Sequence, residues 1–169
     1  MQKYQIMKEL LQQYSAYNHW ANKIILQSLS GCSEDQLNQE IVSSFTSLNK
    51  TILHMLDAES IWWQRLKLNE HILVPSSQNG MNFNEASEQL LRTSASLEEW
   101  VKNANEVNLT HVFEYRNTKK ELFKQPVFEV IIHMVNHGTY HRGQIVTMLR
   151  QLNISKIPGT DFVLFRRKK

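Results

Sequence analysis

Three of the chain's seven histidines stand four residues apart in PVFEVIIHMVNHGTYHRGQIVTMLRQL, at His133, His137 and His141. On a helix each step of four turns a side chain by only ~40°, so His137 and His141 are neighbours on one face, a turn apart. That spacing lets two imidazoles reach one metal ion. His133, ~80° from His141, is aimed partly away and suits packing or support of a ligand. Gln144, seven residues beyond His137, faces the same way. A third ligand must come from another element. The best candidate is His54, beside the apolar stripe of TILHMLDAESIWW; His19, His71 and His111 are weaker candidates. Two ligands from one helix and one from another are how metal sites in helical bundles are assembled. Three neutral imidazoles leave the 2+ charge on the ion and positions open to water or substrate, which suits catalysis better than a closed structural site. The expectation is therefore one divalent transition metal per chain held by His54, His137 and His141: zinc or nickel first, with iron, manganese or copper also compatible.

Such an ion serves two chemistries. It deprotonates a coordinated thiol outright, giving a thiolate that attacks an electrophile. Or it lowers the pKa of bound water toward ~7 for hydrolysis. Hydrolysis wants a general base. From His54, Asp57 lies ~60° and Glu59 ~140° around the helix, so Asp57 is the catalytic candidate of the two. The plainer role for either is a surface carboxylate or a group orienting a histidine. Asn18, Tyr17 and Trp63 are candidate pocket walls, with core packing the plainer role. Cys32, in the Gly-Cys-Ser turn after the first helix, is not the expected nucleophile, so a thiol would come from a cosubstrate. Gly138 and Gly143 interrupt the histidine helix at ~1 kcal/mol each relative to Ala. Close approach of a substrate and close packing of a neighbouring helix explain them equally well.

The elements that must position these groups are long helices, since only 5 Gly and 3 Pro punctuate the chain. The first is read over Gln2 to Leu29, with Leu10, Tyr14, Tyr17, Ala21, Ile24 and Ser28 as its stripe and Gly31 beyond its end. Ser33 and Gln36 form a capping box that starts a short helical turn. The second long helix runs from about Thr46 to Lys67, striped by Leu48, Ile52, Met55, Glu59, Trp62 and Leu66. Asn69 to Phe83, with Pro75, Ser76, Ser77, Asn79 and Gly80, is a loop. Asn84 caps a third helix that reaches about Ala104 and buries Ala86, Leu90, Leu97, Trp100 and Val101. Residues 109–125 suit a short β-hairpin around RNTKKE. Pro126 then sits in the first turn of the fourth helix, which ends near Leu152. IPGTDFVLFRRKK reads as a turn and a short extended tail. Four long helices and one hairpin make an all-α four-helix bundle.

Composition bounds the rest. A length of 169 residues suits one domain, residues 1–169. With 41% apolar and 21% charged residues, disorder is excluded. One cysteine excludes an intramolecular disulfide framework and any Cys-based zinc finger. No stretch approaches the ~18 apolar residues of a membrane span, and MQKYQIMKELLQQY lacks a signal peptide's apolar region. A cytoplasmic protein without a membrane partner is expected. The net charge is +3, but Arg166, Arg167, Lys168 and Lys169 carry +4, so the rest of the chain sums to −1. Basic residues confined to a terminal tail are usually just solvated, so nucleic acid is not an expected partner. Four Trp, seven Phe and five Tyr are many for a small bundle. If some, such as Trp20 or Trp100, lie outside the core, they mark a partner surface, and a homodimer is expected.

NHGTYHRGQIVTMLRQL resembles the signature helix of the DinB family, the YfiT-like metal-dependent hydrolases. YNHWAN, LHMLDAESIWW, YRNTKKELFKQP and GTDFVLF resemble further DinB pieces in the expected order, so the resemblance covers nearly the whole chain. It implies a four-helix bundle with a small hairpin before the last helix. It also implies metal ligands at His54, His137 and His141, all three filled here. Related bundles include transferases that use low-molecular-weight thiols, and members are often homodimers. The family name reflects induction by DNA damage and implies no DNA binding. The resulting expectation is a metal-dependent enzyme on a small-molecule substrate, either a thiol S-transferase or a hydrolase. The alternative is a non-enzymatic, damage-inducible metal- or ligand-binding protein.

Overall fold

Polar side chains start most of the helices. Ser33, Ser47, Asn82 and Asn105 each accept a hydrogen bond from a backbone N–H of the turn they precede, satisfying donors that have no partner inside the helix. In the computed structural model, which describes residues 2–77, 80–117 and 119–167, the elements follow in this order. They are α1 (Gln2–Leu29), α2 (Glu34–Asn38), α3 (Leu48–Leu66), a 3-10 turn (Pro75–Ser77) and α4 (Phe83–Asn103). Then come α5 (Glu106–Thr110), β1 (Val112–Arg116), β2 (Leu122–Pro126), α6 (Val127–Gln151) and α7 (Phe162–Arg167). Asn79 of the expected loop, Thr118 of the expected turn, and Lys168 and Lys169 of the basic tail lie outside the described residues.

The expected all-α four-helix bundle with its hairpin is what forms. α1 and α3 each pack against both α4 and α6, so α1 lies diagonally across from α3. One core cluster joins Ile25, Leu29, Ile52, Leu56, Leu90 and Ile145; a second, toward the hairpin, joins Leu11, Leu97, Val101, Leu109, Phe113 and Ile131. No helix is long and apolar enough to cross a membrane among the described residues.

Five details correct the sequence reading. Asn82 rather than Asn84 caps α4, which already begins at Phe83. The buried face of α1 keeps Tyr17 and Ala21 of the expected stripe but is otherwise rotated from it by about one residue. Leu10 is exposed, whereas Leu11, Ser15, Asn18, Asn22 and Ile25 are buried. A count of apolar residues misses three of these because they are polar. The segment at 109–110 is the end of α5 rather than a strand, since Asn105 and Asn108 close a reciprocal cap at its start. Pro126 precedes α6 as its N-cap, one residue earlier than expected. And the tail is helical at Phe162–Arg167 instead of extended. α7 lays Phe162 and Phe165 against Tyr14, Tyr17 and Trp20 of α1, and burying those rings selects the helix.

Candidate metal centre

α3 and α6 face one another and bring His54, His137 and His141 together. Nε2 of His137 lies 3.2 Å from Nε2 of His54 and 3.1 Å from Nε2 of His141. All three ligand atoms fall within 4.8 Å of one another, so the three could hold one metal ion. Hydrogen bonding explains this convergence poorly. Gln144 Oε1, 2.7 Å from His141 Nδ1, can only accept, so Nδ1 carries the proton and Nε2 presents its lone pair. Nε2 of His137 then offers a single proton or lone pair to two partners. A cation satisfies three lone pairs at once. The separations also suit it: with metal–nitrogen bonds of ~2.1 Å, ligand atoms sit ~3.0 Å apart at octahedral and ~3.4 Å apart at tetrahedral angles.

The site's electrostatics keep the rings neutral. Burial lowers the pKa of His54 and His141. Burial, helped by the neighbouring charges of His141, His54 and His133, pushes His137 down to about 4. Neutral imidazole is the form that ligates.

Surrounding groups fix the ring positions. Gln144 holds His141 and donates from Nε2 to Ser44 Oγ at 2.8 Å, tying α6 to the loop after α2. Phe45 of that loop stacks on His54, with ring centroids 4.1 Å apart. Sequence reasoning placed Gln144 on this face but missed Ser44 and Phe45, whose positions depend on a loop without periodicity. His133 stands edge-on to Trp62, 5.2 Å away, as a packing residue. Asp57 is near enough to His54 to raise its pKa slightly, yet Ser76 takes up both its carboxylate oxygens, through backbone N–H and hydroxyl. The turn at Pro75–Ser77 is thereby anchored on α3.

The remaining candidates lie elsewhere. Tyr17 donates its hydroxyl to Thr160 O, Trp63 packs edge-on to Trp100, and His19 pairs with Ser94. Asn18 belongs to a buried polar cluster behind the histidines. Asn18 and Asn22 donate to the two carboxylate oxygens of Glu59 at 3.2 Å and accept from Arg142 Nη1 at 2.9 and 2.7 Å. Arg142 Nη2 donates to Thr139. Burial pushes the Glu59 carboxyl up to about 7, against the opposing pull of Asn18, Arg142 and Asn22. Glu59 and His137 line one small cavity together with Trp62 and Gly138.

The two helix glycines differ in cause. A Cβ on Gly138 would come within 2.9 Å of Arg142 Nη1 and of Asn18 Oδ1, so close packing accounts for it. A Cβ on Gly143 would meet nothing within 4 Å. Nothing in the packing of the described residues requires that glycine.

A four-helix bundle whose facing helices bring three imidazole nitrogens to one point defines a class of small proteins with a metal-capable core. The chain matches the DinB family over residues 6–168 and belongs to it. It is 29% identical over 158 residues to Protein DinB of Bacillus subtilis (strain 168), covering 88% of this chain and 89% of that one. The crystal structure of a DinB-like protein from Bacillus subtilis shares the fold, with a TM-score of 0.67 at 12% identity, over 88% of this chain and 98% of that one.

Proposed function

We propose that the protein is a divalent-metal-dependent enzyme acting on a small molecule, with His54, His137 and His141 as ligands and thiol transfer ahead of hydrolysis. The observation that carries this reading is the convergence of three imidazoles, with His137 Nε2 lying 3.2 Å from His54 Nε2 and 3.1 Å from His141 Nε2. When bound, the ion would supply the acidity that turns a thiol into a thiolate or brings water to a pKa near ~7. The chain's own residues do the rest. His137 and His141 are locked one turn apart on α6. Gln144 keeps the His141 proton on Nδ1, and Phe45 covers the face of His54. Thiol transfer is favoured because the carboxylates best placed to act as bases are engaged, Asp57 by Ser76 and Glu59 by Asn18 and Asn22. Cys32 lines a different cavity, near Leu29 and Phe83, which supports a thiol that arrives as cosubstrate.

Elemental analysis of the purified protein tests the metal, with one ion per chain expected. Adding a small thiol to cobalt-loaded protein tests the chemistry. A sulfur-to-cobalt charge-transfer band is expected, and no spectral change with any common cellular thiol would move the reading to hydrolysis. Cys32→Ser should keep both the band and turnover.

A further inference from the structure

A small cavity between α3 and α6 has one of the three converging histidines in its wall. Ala58, Glu59 and Trp62 line it from α3, and Met134, His137 and Gly138 from α6. Its volume is about 10 Å³. That is far below the ~300 Å³ at which small-molecule sites begin, and close to the ~10–15 Å³ that one water needs. Size therefore excludes an organic ligand. A carboxyl group and an imidazole in the wall give a water the two polar partners it requires, where a purely apolar void would stay dry.

His137 has a proton to place. Its Nε2 is the atom that meets His54 and His141, and a ring that ligates through Nε2 carries its proton on Nδ1. Ligating histidines donate that second N–H to a carboxylate, a carbonyl or a water. His141 has Gln144 for the purpose. His137 Nδ1 has no protein partner among the described residues, yet it is not sealed off from space that a water can enter. Glu59 has the matching capacity. Asn18 and Asn22 each donate to one of its oxygens, at 3.2 Å, whereas a carboxylate accepts about four hydrogen bonds. Glu59 is 5% exposed, so bulk solvent does not make up the difference.

We infer that this cavity binds one water, which accepts from His137 Nδ1–H and donates to the Glu59 carboxyl group, and that Glu59 is thereby a positioning residue for the metal ligand. The water sets the tautomer and ring angle of His137 as Gln144 does for His141. Glu59 acts through it and touches neither ion nor substrate. This inference rests on the proposed role of His137 as a ligand.

A high-resolution crystal structure tests the water. One ordered water should lie within ~3.2 Å of both His137 Nδ1 and a Glu59 carboxyl oxygen. Zinc, titrated against a competing chelator, tests the role. Glu59→Gln should weaken zinc binding ~10–100-fold, and so should Ala58→Val, which crowds the cavity but leaves both polar residues in place. The double variant should bind no more weakly than the worse single one, since both changes remove the same water. In zinc-loaded, isotopically labelled protein the His137 Nδ1 proton should be visible by NMR and protected from exchange. Ala58→Val should shift or abolish that signal, which a purely structural role for Glu59 would leave in place. If Glu59→Gln does not fold, Ala58→Val carries both readouts. An empty cavity, a direct Glu59–His137 hydrogen bond, or wild-type zinc affinity in Ala58→Val would each overturn the inference. Failure of the wild-type protein to bind zinc would count against the ligand reading instead, and the crystallographic water would still decide whether Glu59 and His137 are bridged.

Discussion

His141 and Arg142 are adjacent on α6 and enter two polar clusters of opposite character. Arg142 reaches inward to Asn18, Asn22 and Thr139, lies over the Tyr17 ring, and is linked through the two asparagines to Glu59. Nearly every polar atom there finds a protein partner, the buried Arg142 Nε being an exception. His141 turns toward α3, where three ring nitrogens converge on one point and hydrogen bonding cannot serve them all. Burial alone therefore does not separate structure from function. The inner cluster ties α1, α3 and α6 together because its donors and acceptors match. The outer one brings together three ring nitrogens that could hold one metal ion.

His137→Ala tests the contrast most severely. It should abolish metal binding, read by elemental analysis, with the bundle's helical circular dichroism retained. Metal at full occupancy would show that the convergence is not a ligand set. Arg142→Ala should do the reverse. Leaving the buried Asn18 and Asn22 carbonyl oxygens without their donor should cost about 1–3 kcal/mol each in denaturant unfolding, while the folded fraction still takes up one ion. Equal loss of metal and stability would merge the two clusters into one.

A pH series sharpens the difference further. Glu59 at about 7, against an ordinary 4.5, stays protonated in the fold while the unfolded chain has already ionised. Its stabilising contribution is therefore full below pH 4.5 and lost between pH 4.5 and 7, a change of about 3 kcal/mol. His137 at about 4, against 6.5, works in the opposite sense: its contribution is full above pH 6.5 and lost as pH falls toward 4. Unfolding of Glu59→Gln and His137→Ala across pH 4–8 should remove one slope each. Gln144→Ala frees the His141 ring without deleting a ligand, so metal affinity should drop ~10–100-fold. The smallest effect is at the helix glycine that nothing packs against. Gly143→Ala should raise stability by up to ~1 kcal/mol, whereas Gly138→Ala should lower it.

The sequence exposed the outer cluster more readily than the inner one, for a physical reason. Four-residue spacing fixes His137 beside His141 whatever surrounds them, and a histidine beside an apolar stripe, as at His54, points inward. Arg142 looks like one more solvated charge, since its partners lie 120 and 124 residues away. A signal was available: Asn18 and Asn22, at the same four-residue spacing among apolar neighbours, mark a buried polar stripe on α1. The long helices were legible from their periodicity and caps. The tail was not, because a short apolar run such as FVLF fits helix or strand equally well until packing decides. That packing also bears on the dimer expected from the aromatic content, since Trp20 lies against Phe165 and Trp100 against Trp63 within the chain.

The clasp between α1 and α7 has a consequence for biosynthesis. Tyr17 donates to Thr160 across 143 residues, and Phe165 covers the same stretch of α1. A nascent chain emerges N-terminus first. α1 therefore leaves the ribosome with Tyr17 and Trp20 bare and with its two buried asparagines awaiting an arginine not yet translated. Until α6 arrives, the Asn18 and Asn22 side chains lack the Arg142 donor that their carbonyl oxygens meet in the bundle. α7 then closes over Tyr14, Tyr17 and Trp20 of the much earlier α1. A released chain truncated before residue 160 would leave the Tyr14, Tyr17 and Trp20 flank of α1 open.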